Sequence, residues 1–160
     1  LIDGRDYAVS GDQVTLTAAT VAHLVGSRSY GVDSTLEVRF SSGVPWLINV
    51  ITDDAPVLSD ATGTTGSLTI PTRFNGDVLA TMEAKYADGS GAGPAGWTTY
   101  QQYTTAFAPD YPNNGIVLTP AMLGALTDGA RVTLTFHFWS GATVTYYVLK
   151  SGTSVNGSTS

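Results

Sequence analysis

The sequence predicts an all-β protein made of two tandem modules, the first of which is incomplete. Three observations support this prediction: apolar and polar residues alternate in short segments, helical periodicity is confined to residues 18–25 and 120–126, and one pattern of segments occurs twice. Alternation with a period of two is typical of strands that have one buried face. The alternating segments are residues 14–17, 35–40, 46–51, 67–70, 80–86, 115–118, 131–139 and 143–149.

The repeated pattern indicates duplication of one module. The segment VTLTAATVAHL at residues 14–24 aligns with IVLTPAMLGAL at 116–126, and LEVRFSSG at 36–43 aligns with LTFHFWSG at 134–141. Each copy therefore contains a strand, a short helix, a strand, a turn with Ser-Gly and a further strand. Segments of this kind bury their apolar faces by packing as two sheets. We predict two related β-sandwich modules.

The two copies differ in how much sequence precedes the repeated pattern. The first copy has only residues 1–13 ahead of it, whereas the second has residues 59–115. If both modules share one fold, about forty residues of the first are absent from this chain, and a bare strand edge favours aggregation. We therefore expect strands from an upstream segment to complete the first module. The Pro-, Gly- and Thr-rich stretch at 53–66 marks the junction and predicts modules at 1–58 and 59–160.

The composition excludes several classes of function. Charged residues make up 12% of the chain, compared with roughly 25% in ordinary globular proteins, and serine, threonine and glycine take their place. The net charge of −6 disfavours DNA and RNA, and the absence of cysteine excludes disulfides and thiolate sites. No apolar run has the length of a transmembrane helix. These features predict an extracellular bacterial protein with a neutral, hydroxyl-rich partner, no cofactor and no membrane association.

Successive side chains of a strand point to opposite faces, and this alternation identifies core residues in the second copy. In the strand at 131–139, every second residue is large and apolar, so these residues share the core face. A three-residue loop at 140–142, with Gly141 at positive φ, keeps the register and turns Val144 to the same face. The core residues on the first strand are Val132, Leu134, Phe136 and Phe138.

The same alternation of side chains predicts the face on which two of the three tryptophans lie. The alignment of the copies places Trp46 at the position of Val144, so we predict that Trp46 points into the core. Trp139 and His137 fall on the outer face, close to a turn. They form a possible secondary platform for a sugar, and Trp139 could equally pack against the neighbouring module or a loop.

Trp97 is the strongest candidate for ligand contact. It follows the glycine-rich segment 86–96, which is unsuited to a strand, so no core is evident for its side chain. Large amphipathic rings on exposed loops hold ligands that have an apolar face, as pyranose rings do. Tyr100, Gln101 and Gln102 follow closely, and amides suit sugar hydroxyls. The competing interpretation is that Trp97 closes one end of the sandwich as a plug.

The residues do not predict an active site or a metal site. Glycoside hydrolysis requires two converging carboxylates. Asp53 and Asp54 lie at the junction, and four other aspartates stand in turn-like contexts, namely Asp60, Asp77, Asp88 and Asp128. Glu37 and Glu83 fall on the outer face of strands. The two histidines, His23 and His137, lie in different modules, which disfavours a histidine metal site.

Four segments together resemble carbohydrate-binding module family 46: IPTRFNGD, ATMEAKY, the glycine-rich loop with its tryptophan, and FHFWSG. The stretch from LIDGRDYAVSG to PWLINVI resembles the latter part of the immunoglobulin-like module that precedes this family. In such proteins both modules follow a glycoside hydrolase family 5 catalytic barrel, in secreted bacterial endo-β-1,4-glucanases.

The resemblance implies a role for each part of the chain. The first module would be an immunoglobulin-like spacer that lacks its N-terminal strands, and the second would grip cellulose, xyloglucan or mixed-linkage β-glucan beside the barrel. Trp97 matches the loop tryptophan that contacts substrate in the family, while the catalytic residues belong to the barrel, which this chain lacks. Two other interpretations remain open at this point: purely structural spacer modules without glycan contact, and an independent enzyme.

Overall fold

In the computed structural model, strands predominate over the residues that the structure describes, which are 1–27, 29–94 and 105–160. The chain divides into two compact units, Leu1–Asp54 and Ala55–Ser160. The prediction of an all-β chain is therefore confirmed. The division falls ahead of the predicted boundary after residue 58, because Val57–Leu58 pairs with the strand Leu68–Arg73 of the second unit.

The first unit contains two hairpins and a helix. Its elements are, in chain order, β1 (Tyr7–Ser10), β2 (Gln13–Leu16), α1 (Ala18–Val25), β3 (Gly31–Val38) and β4 (Trp46–Thr52). β1 pairs antiparallel with β2, and β3 pairs antiparallel with β4. The side chain of Thr17 caps α1 by accepting a hydrogen bond from the N–H of Thr20 at 3.2 Å.

The second unit is a sandwich of two antiparallel sheets. Its elements are, in chain order, β5 (Val57–Leu58), β6 (Ala61–Thr64), β7 (Leu68–Arg73), β8 (Leu79–Tyr86), β9 (Phe107–Asp110), β10 (Gly115–Leu118), α2 (Pro120–Gly124), β11 (Arg131–Phe138), β12 (Thr143–Ser151) and β13 (Ser154–Ser158). One sheet has the strand order β5-β7-β10-β9, and the other has the order β6-β13-β12-β11-β8. The facing side chains of both sheets form one hydrophobic cluster.

The core face predicted for β11 and β12 is confirmed. The four apolar residues predicted on the core face of β11 are buried, and Val144 lies opposite Phe136 and packs against the cluster. Tyr146, two residues further along β12, is also fully buried. The buried residues of β11 are Val132, Leu134, Phe136 and Phe138.

The duplication is visible in the structure. The succession β1-β2-α1-β3-β4 corresponds to β9-β10-α2-β11-β12. Thr119 caps α2 as Thr17 caps α1, and Gly43 and Gly141 occupy equivalent turns with φ of 94° and 91°. In the second unit β7 also pairs with β10, and β8 with β11. Over the described residues of the first unit, no strand occupies the corresponding positions beside β2 and β3.

The prediction that Trp46 is a core residue is wrong for this chain. Its side chain is 61% exposed and packs edge-to-face on Phe40, with ring centroids 5.2 Å apart. The register places Trp46 opposite Val38 and Ile48 opposite Leu36, so the predicted face is correct. The other sheet described in the first unit consists of β1 and β2 alone, and it leaves Trp46 on this face exposed.

Candidate carbohydrate-binding surface

The predicted sugar-binding loop lies outside the described residues. Trp97, Tyr100, Gln101 and Gln102 belong to residues 95–104, so their role stays a prediction. The flanks of this segment are described, and both are attached to the core.

Buried alanines make the two attachments. Ala92 is fully buried, and its N–H donates to the carbonyl of Ala84 in β8 at 3.0 Å. Ala106 is fully buried as well, and its carbonyl accepts a hydrogen bond from the N–H of Thr119 at 2.9 Å. The chain is therefore held against the sandwich shortly before and shortly after the segment that contains Trp97.

Trp139, the possible secondary platform, lies on the surface with 76% of its area exposed. β11 ends at Phe138, so Trp139 does not belong to the strand. It lies in the turn between β11 and β12. The N–H of Phe138 donates to the carbonyl of Ala142, and the N–H of Gly141 donates to the carbonyl of Phe138, each at 3.0 Å. Residues 138–142 are called the Trp139 turn below.

Asp77 fixes the Trp139 turn from the connection between β7 and β8. Its side chain is buried, and its Oδ1 accepts hydrogen bonds from the N–H groups of Val78 at 2.8 Å and Ser140 at 3.2 Å. Its Oδ2 accepts a hydrogen bond from the hydroxyl of Ser140 at 2.5 Å. The N–H of Trp139 donates to the carbonyl of Val78 at 2.9 Å. The backbone that carries the exposed indole is therefore held on both sides of Trp139.

The sequence did not reveal this connection. Asp77 stands in a turn-like context, as predicted, but its partner is 63 residues away. Only the pairing of β8 with β11 brings the two turns together. The local signal was the Asn75-Gly76 pair, whose positive φ angles of 50° and 83° turn the chain sharply before Asp77.

His137 lies beside Trp139 on the outer face of the five-stranded sheet. Its side chain is 23% exposed, and its Nε2 lies 3.5 Å from Oε1 of Glu83 on β8. Oε2 of Glu83 lies 3.1 Å from Nζ of Lys85. The imidazole is thus directed at a neighbouring carboxylate, and its predicted role as a platform stays a prediction.

Threonines occupy four further outward positions on β11 and β12. Thr135 lies opposite Thr145, Thr143 lies opposite His137, and Thr133 lies opposite Tyr147. Thr133 and Thr135 are half-buried, while Thr143 and Thr145 are exposed. In the described part of the chain, no hydrogen bond occupies the hydroxyls of these four threonines. We call Thr133, Thr135, Thr143 and Thr145 the threonine ladder.

A stacked pair closes the far end of the ladder. The guanidinium of Arg131 lies over the ring of Tyr147, 3.8 Å from its centroid. This distance is that of a cation–π contact. The pair presents a flat, amphipathic surface on the strands that carry the ladder.

Asp88 and Asp128 serve turns, as predicted. Asp88 accepts hydrogen bonds from the hydroxyl of Ser90 at 2.6 Å and from its N–H at 2.9 Å, and these bonds lower the pKa of Asp88. Asp128 accepts a hydrogen bond from the N–H of Gly152. Over residues 1–27, 29–94 and 105–160, no cluster of three or more histidine or acidic side chains could hold a metal ion. No helix in these ranges is long and apolar enough to cross a membrane.

A family model described as a carbohydrate binding domain, that of carbohydrate-binding module family 46, matches residues 54–158. The chain belongs to this family. The resemblance seen in the sequence is therefore confirmed. The matched region is a carbohydrate-binding module and not a catalytic domain.

Similar proteins extend the match to the first unit. Endoglucanase B of Paenibacillus lautus is 42% identical over 160 residues, which are 100% of this chain and 28% of that protein. The structure of the full-length tri-modular endo-β-1,4-glucanase B from Bacillus halodurans is 40% identical, with a TM-score of 0.94 over 99% of this chain and 29% of that one. The family 46 module of the same enzyme, solved alone, is 47% identical over 65% of this chain and 98% of that one, with a TM-score of 0.62.

Proposed function

We propose that the chain is the non-catalytic accessory region of a secreted bacterial endo-β-1,4-glucanase of glycoside hydrolase family 5, in which it holds β-glucan beside the catalytic barrel. The observation that carries the proposal is the alignment of the whole chain with 28% of an endoglucanase at 42% identity. Recovery of the parent protein from the culture medium, and not from the cells, tests the secretion part.

The chemistry of the second unit suits this role. A neutral β-glucan offers equatorial hydroxyls and apolar ring faces, and tryptophan holds such faces through its large amphipathic ring. Trp97 is the expected contact of the loop, with Tyr100, Gln101 and Gln102 beside it. The preferred glucan is cellulose, xyloglucan or mixed-linkage glucan.

The first unit serves as a spacer that the parent protein completes. Its β3–β4 hairpin exposes apolar side chains on the face that is a buried core in the second unit, among them Trp46 at 61% and Ile48 at 46%. Upstream strands that pair beside β2 and β3, as β7 and β8 do beside β10 and β11, would cover this face. Such a unit would be an immunoglobulin-like sandwich joined to the barrel.

Retention on soluble glucan tests the binding role. Affinity electrophoresis of this chain in gels with xyloglucan, mixed-linkage β-glucan or no glucan should show slower migration only with glucan. Trp97→Ala should abolish most of that retention, because an indole stacked on a sugar contributes about 1–2 kcal/mol, or roughly tenfold in affinity. Trp46→Ala is the matched control, since it removes an exposed indole from the first unit.

Activity of the parent enzyme provides the second readout. Trp97→Ala in the intact enzyme should lower its rate on polymeric glucan, while the rate on a short soluble substrate that occupies only the barrel stays unchanged. Equal retention of the wild type and the variant, together with full activity on polymer, would show that the region is a spacer without glycan contact.

A further inference from the structure

The Trp139 turn follows β11 directly, and the threonine ladder lies on the outward positions of β11 and β12. Together they make up a candidate surface of the five-stranded sheet. We propose that this surface is a β-glucan site in addition to the contact predicted for Trp97, in which an extended glucan stacks on Trp139 and hydrogen-bonds along β11 and β12. The inference rests on the proposed function, because it takes the same class of ligand.

The exposure of Trp139 is the first argument. A side chain of this size is 76% exposed although its backbone is fixed by the hydrogen bond from its N–H to Val78 and by the contacts of Asp77 with Ser140. The indole lies outside the buried core, so core packing does not explain an aromatic side chain at this position of a fixed turn. A preorganised aromatic ring loses little conformational entropy on binding.

The threonine ladder is the second argument. Four hydroxyls point outward from two adjacent strands and are not bonded within the described part of the chain. Other threonines use their hydroxyls internally: Thr52 donates to Asp33, Thr72 to a backbone carbonyl and Thr119 to the carbonyl of Thr105. The distance from Thr133 to Trp139 along β11 is about 20 Å at roughly 3.4 Å per residue, which is room for several sugar rings.

Charge favours a glycan over other partners. Beside the ladder, Glu83 is paired with Lys85, and at its far end the guanidinium of Arg131 is stacked on Tyr147. Arg131 stays charged, so over the described residues the surface has one isolated positive charge at its end and a paired Glu83–Lys85 beside it, and not a run of like charges that would attract nucleic acid or a charged peptide. A protein interface normally has an apolar centre, whereas the centre of this face is made of threonine. A neutral polymer rich in hydroxyls fits both properties.

The two tryptophan sites are distinguishable by NMR. The chain has three tryptophans, so a ¹H–¹⁵N spectrum contains three indole N–H signals, which Trp46→Phe, Trp97→Phe and Trp139→Phe assign. Titration with cellohexaose at millimolar concentration should shift the Trp139 indole and the amides of the ladder. Maltohexaose, an α-linked oligomer of the same length, is the control ligand and should leave them in place.

Variants then measure the contribution of the surface. Trp139→Ala should weaken cellohexaose binding in the Trp97→Ala background by about tenfold. The double change Thr135→Val and Thr145→Val should weaken it by roughly fivefold or more, since two hydrogen bonds to sugar are lost. Thr15→Val, at an exposed strand position of the first unit, is the control and should have no effect. Unchanged unfolding midpoints show that the variants are folded.

Each outcome decides between specific alternatives. If cellohexaose shifts the Trp97 indole but not Trp139 or the ladder, the second site does not exist while the proposed function stands. If no indole responds and Trp97→Ala leaves the parent enzyme fully active, both proposals fail. If Trp139→Ala destabilises the parent enzyme without changing glucan binding, Trp139 contacts another part of that protein and the second site is rejected.

Discussion

At the scale of single residues, Asp77 connects the fold to the candidate surface. Its buried carboxylate accepts hydrogen bonds from the N–H of Val78 and from the N–H and hydroxyl of Ser140. Asp77→Ala would leave these donors without an acceptor, so we expect a loss of about 2–3 kcal/mol in the free energy of unfolding. Urea denaturation measures it. The variant should also weaken cellohexaose binding, because the Trp139 turn loses its support.

Asp88→Ala is the matched control for this change. Asp88 likewise accepts hydrogen bonds from the N–H and hydroxyl of one serine, Ser90, but it lies exposed in a turn where water can replace the carboxylate. Its removal should affect stability far less than the removal of Asp77. Equal effects of the two changes would show that burial of Asp77 is unimportant.

The tryptophans show that the sequence pattern of a strand predicts the orientation of a side chain but not its burial. Strand parity correctly placed Trp46 on the apolar face of its strand and Trp139 away from the core. Parity says which way a side chain points, but burial depends on what covers that face, and for Trp46 no cover is present in the described structure. The fixing of Trp139 by Asp77 was missed, because no local pattern records a contact between turns distant in sequence.

At the scale of elements, the packing of β13 on β12 depends on a glycine. A Cβ at Gly157 would lie 2.6 Å from both Cε1 and Oη of Tyr146, which is fully buried. Gly157→Ala should therefore destabilise the second unit by about 1–3 kcal/mol. Gly124→Ala in α2 is the control, since no atom lies within 4 Å of the added carbon. Equal unfolding midpoints for the two variants in urea would contradict this account.

Tyr146 also predicts how stability depends on pH. Burial of its ring, with the nearby charge of Asp60 as the second cause, raises the pKa of Tyr146 to about 12. The folded state therefore holds this proton at pH values where the unfolded state, in which the tyrosine has its ordinary pKa of 10.0, has lost it. Stability is fully present below pH 10 and falls as the pH rises from 10 towards 12.

Tyr146→Phe tests this dependence. At neutral pH it removes the hydrogen bond that the hydroxyl donates to the carbonyl of Ser59 at 3.0 Å, at a cost of about 1 kcal/mol. Between pH 10 and 12 the variant should lose less stability than the wild type, so the difference between their unfolding midpoints should shrink. A constant difference across this range would mean that Tyr146 does not titrate on unfolding.

The elements were predictable where their residues carried a periodic apolar pattern. The long strands β8, β11 and β12 and both helices lie at the predicted segments. The short strands β6 and β13 were not predicted, because ATGT and SVNGS consist mainly of threonine, serine and glycine, and resemble loops. They pair with each other and extend the sheet through tertiary contacts that local propensity does not encode.

At the scale of the whole molecule, the duplication explains why the two units differ in burial. The described hydrophobic core lies entirely between Leu58 and Val155. In the first unit the same strand–helix–strand pattern has formed, yet the residues described there as buried are Thr20 and Thr52. The comparison of the copies predicted that the first module is incomplete, since only the second has the residues that make β5 to β8, but it also placed Trp46 in a core that the described residues do not form.

Hydrogen exchange should reveal two levels of stability in this chain. Amides of β11 and β12 should exchange only on global unfolding of the second unit, whereas those of β3 and β4 should exchange faster through local opening, because few buried apolar contacts hold them. In the intact parent enzyme, upstream strands would bury Trp46 and Ile48, so the β3 and β4 amides should become as protected as those of β11. The same fast exchange of β3 and β4 in the parent and in this chain would mean that nothing upstream completes the first unit.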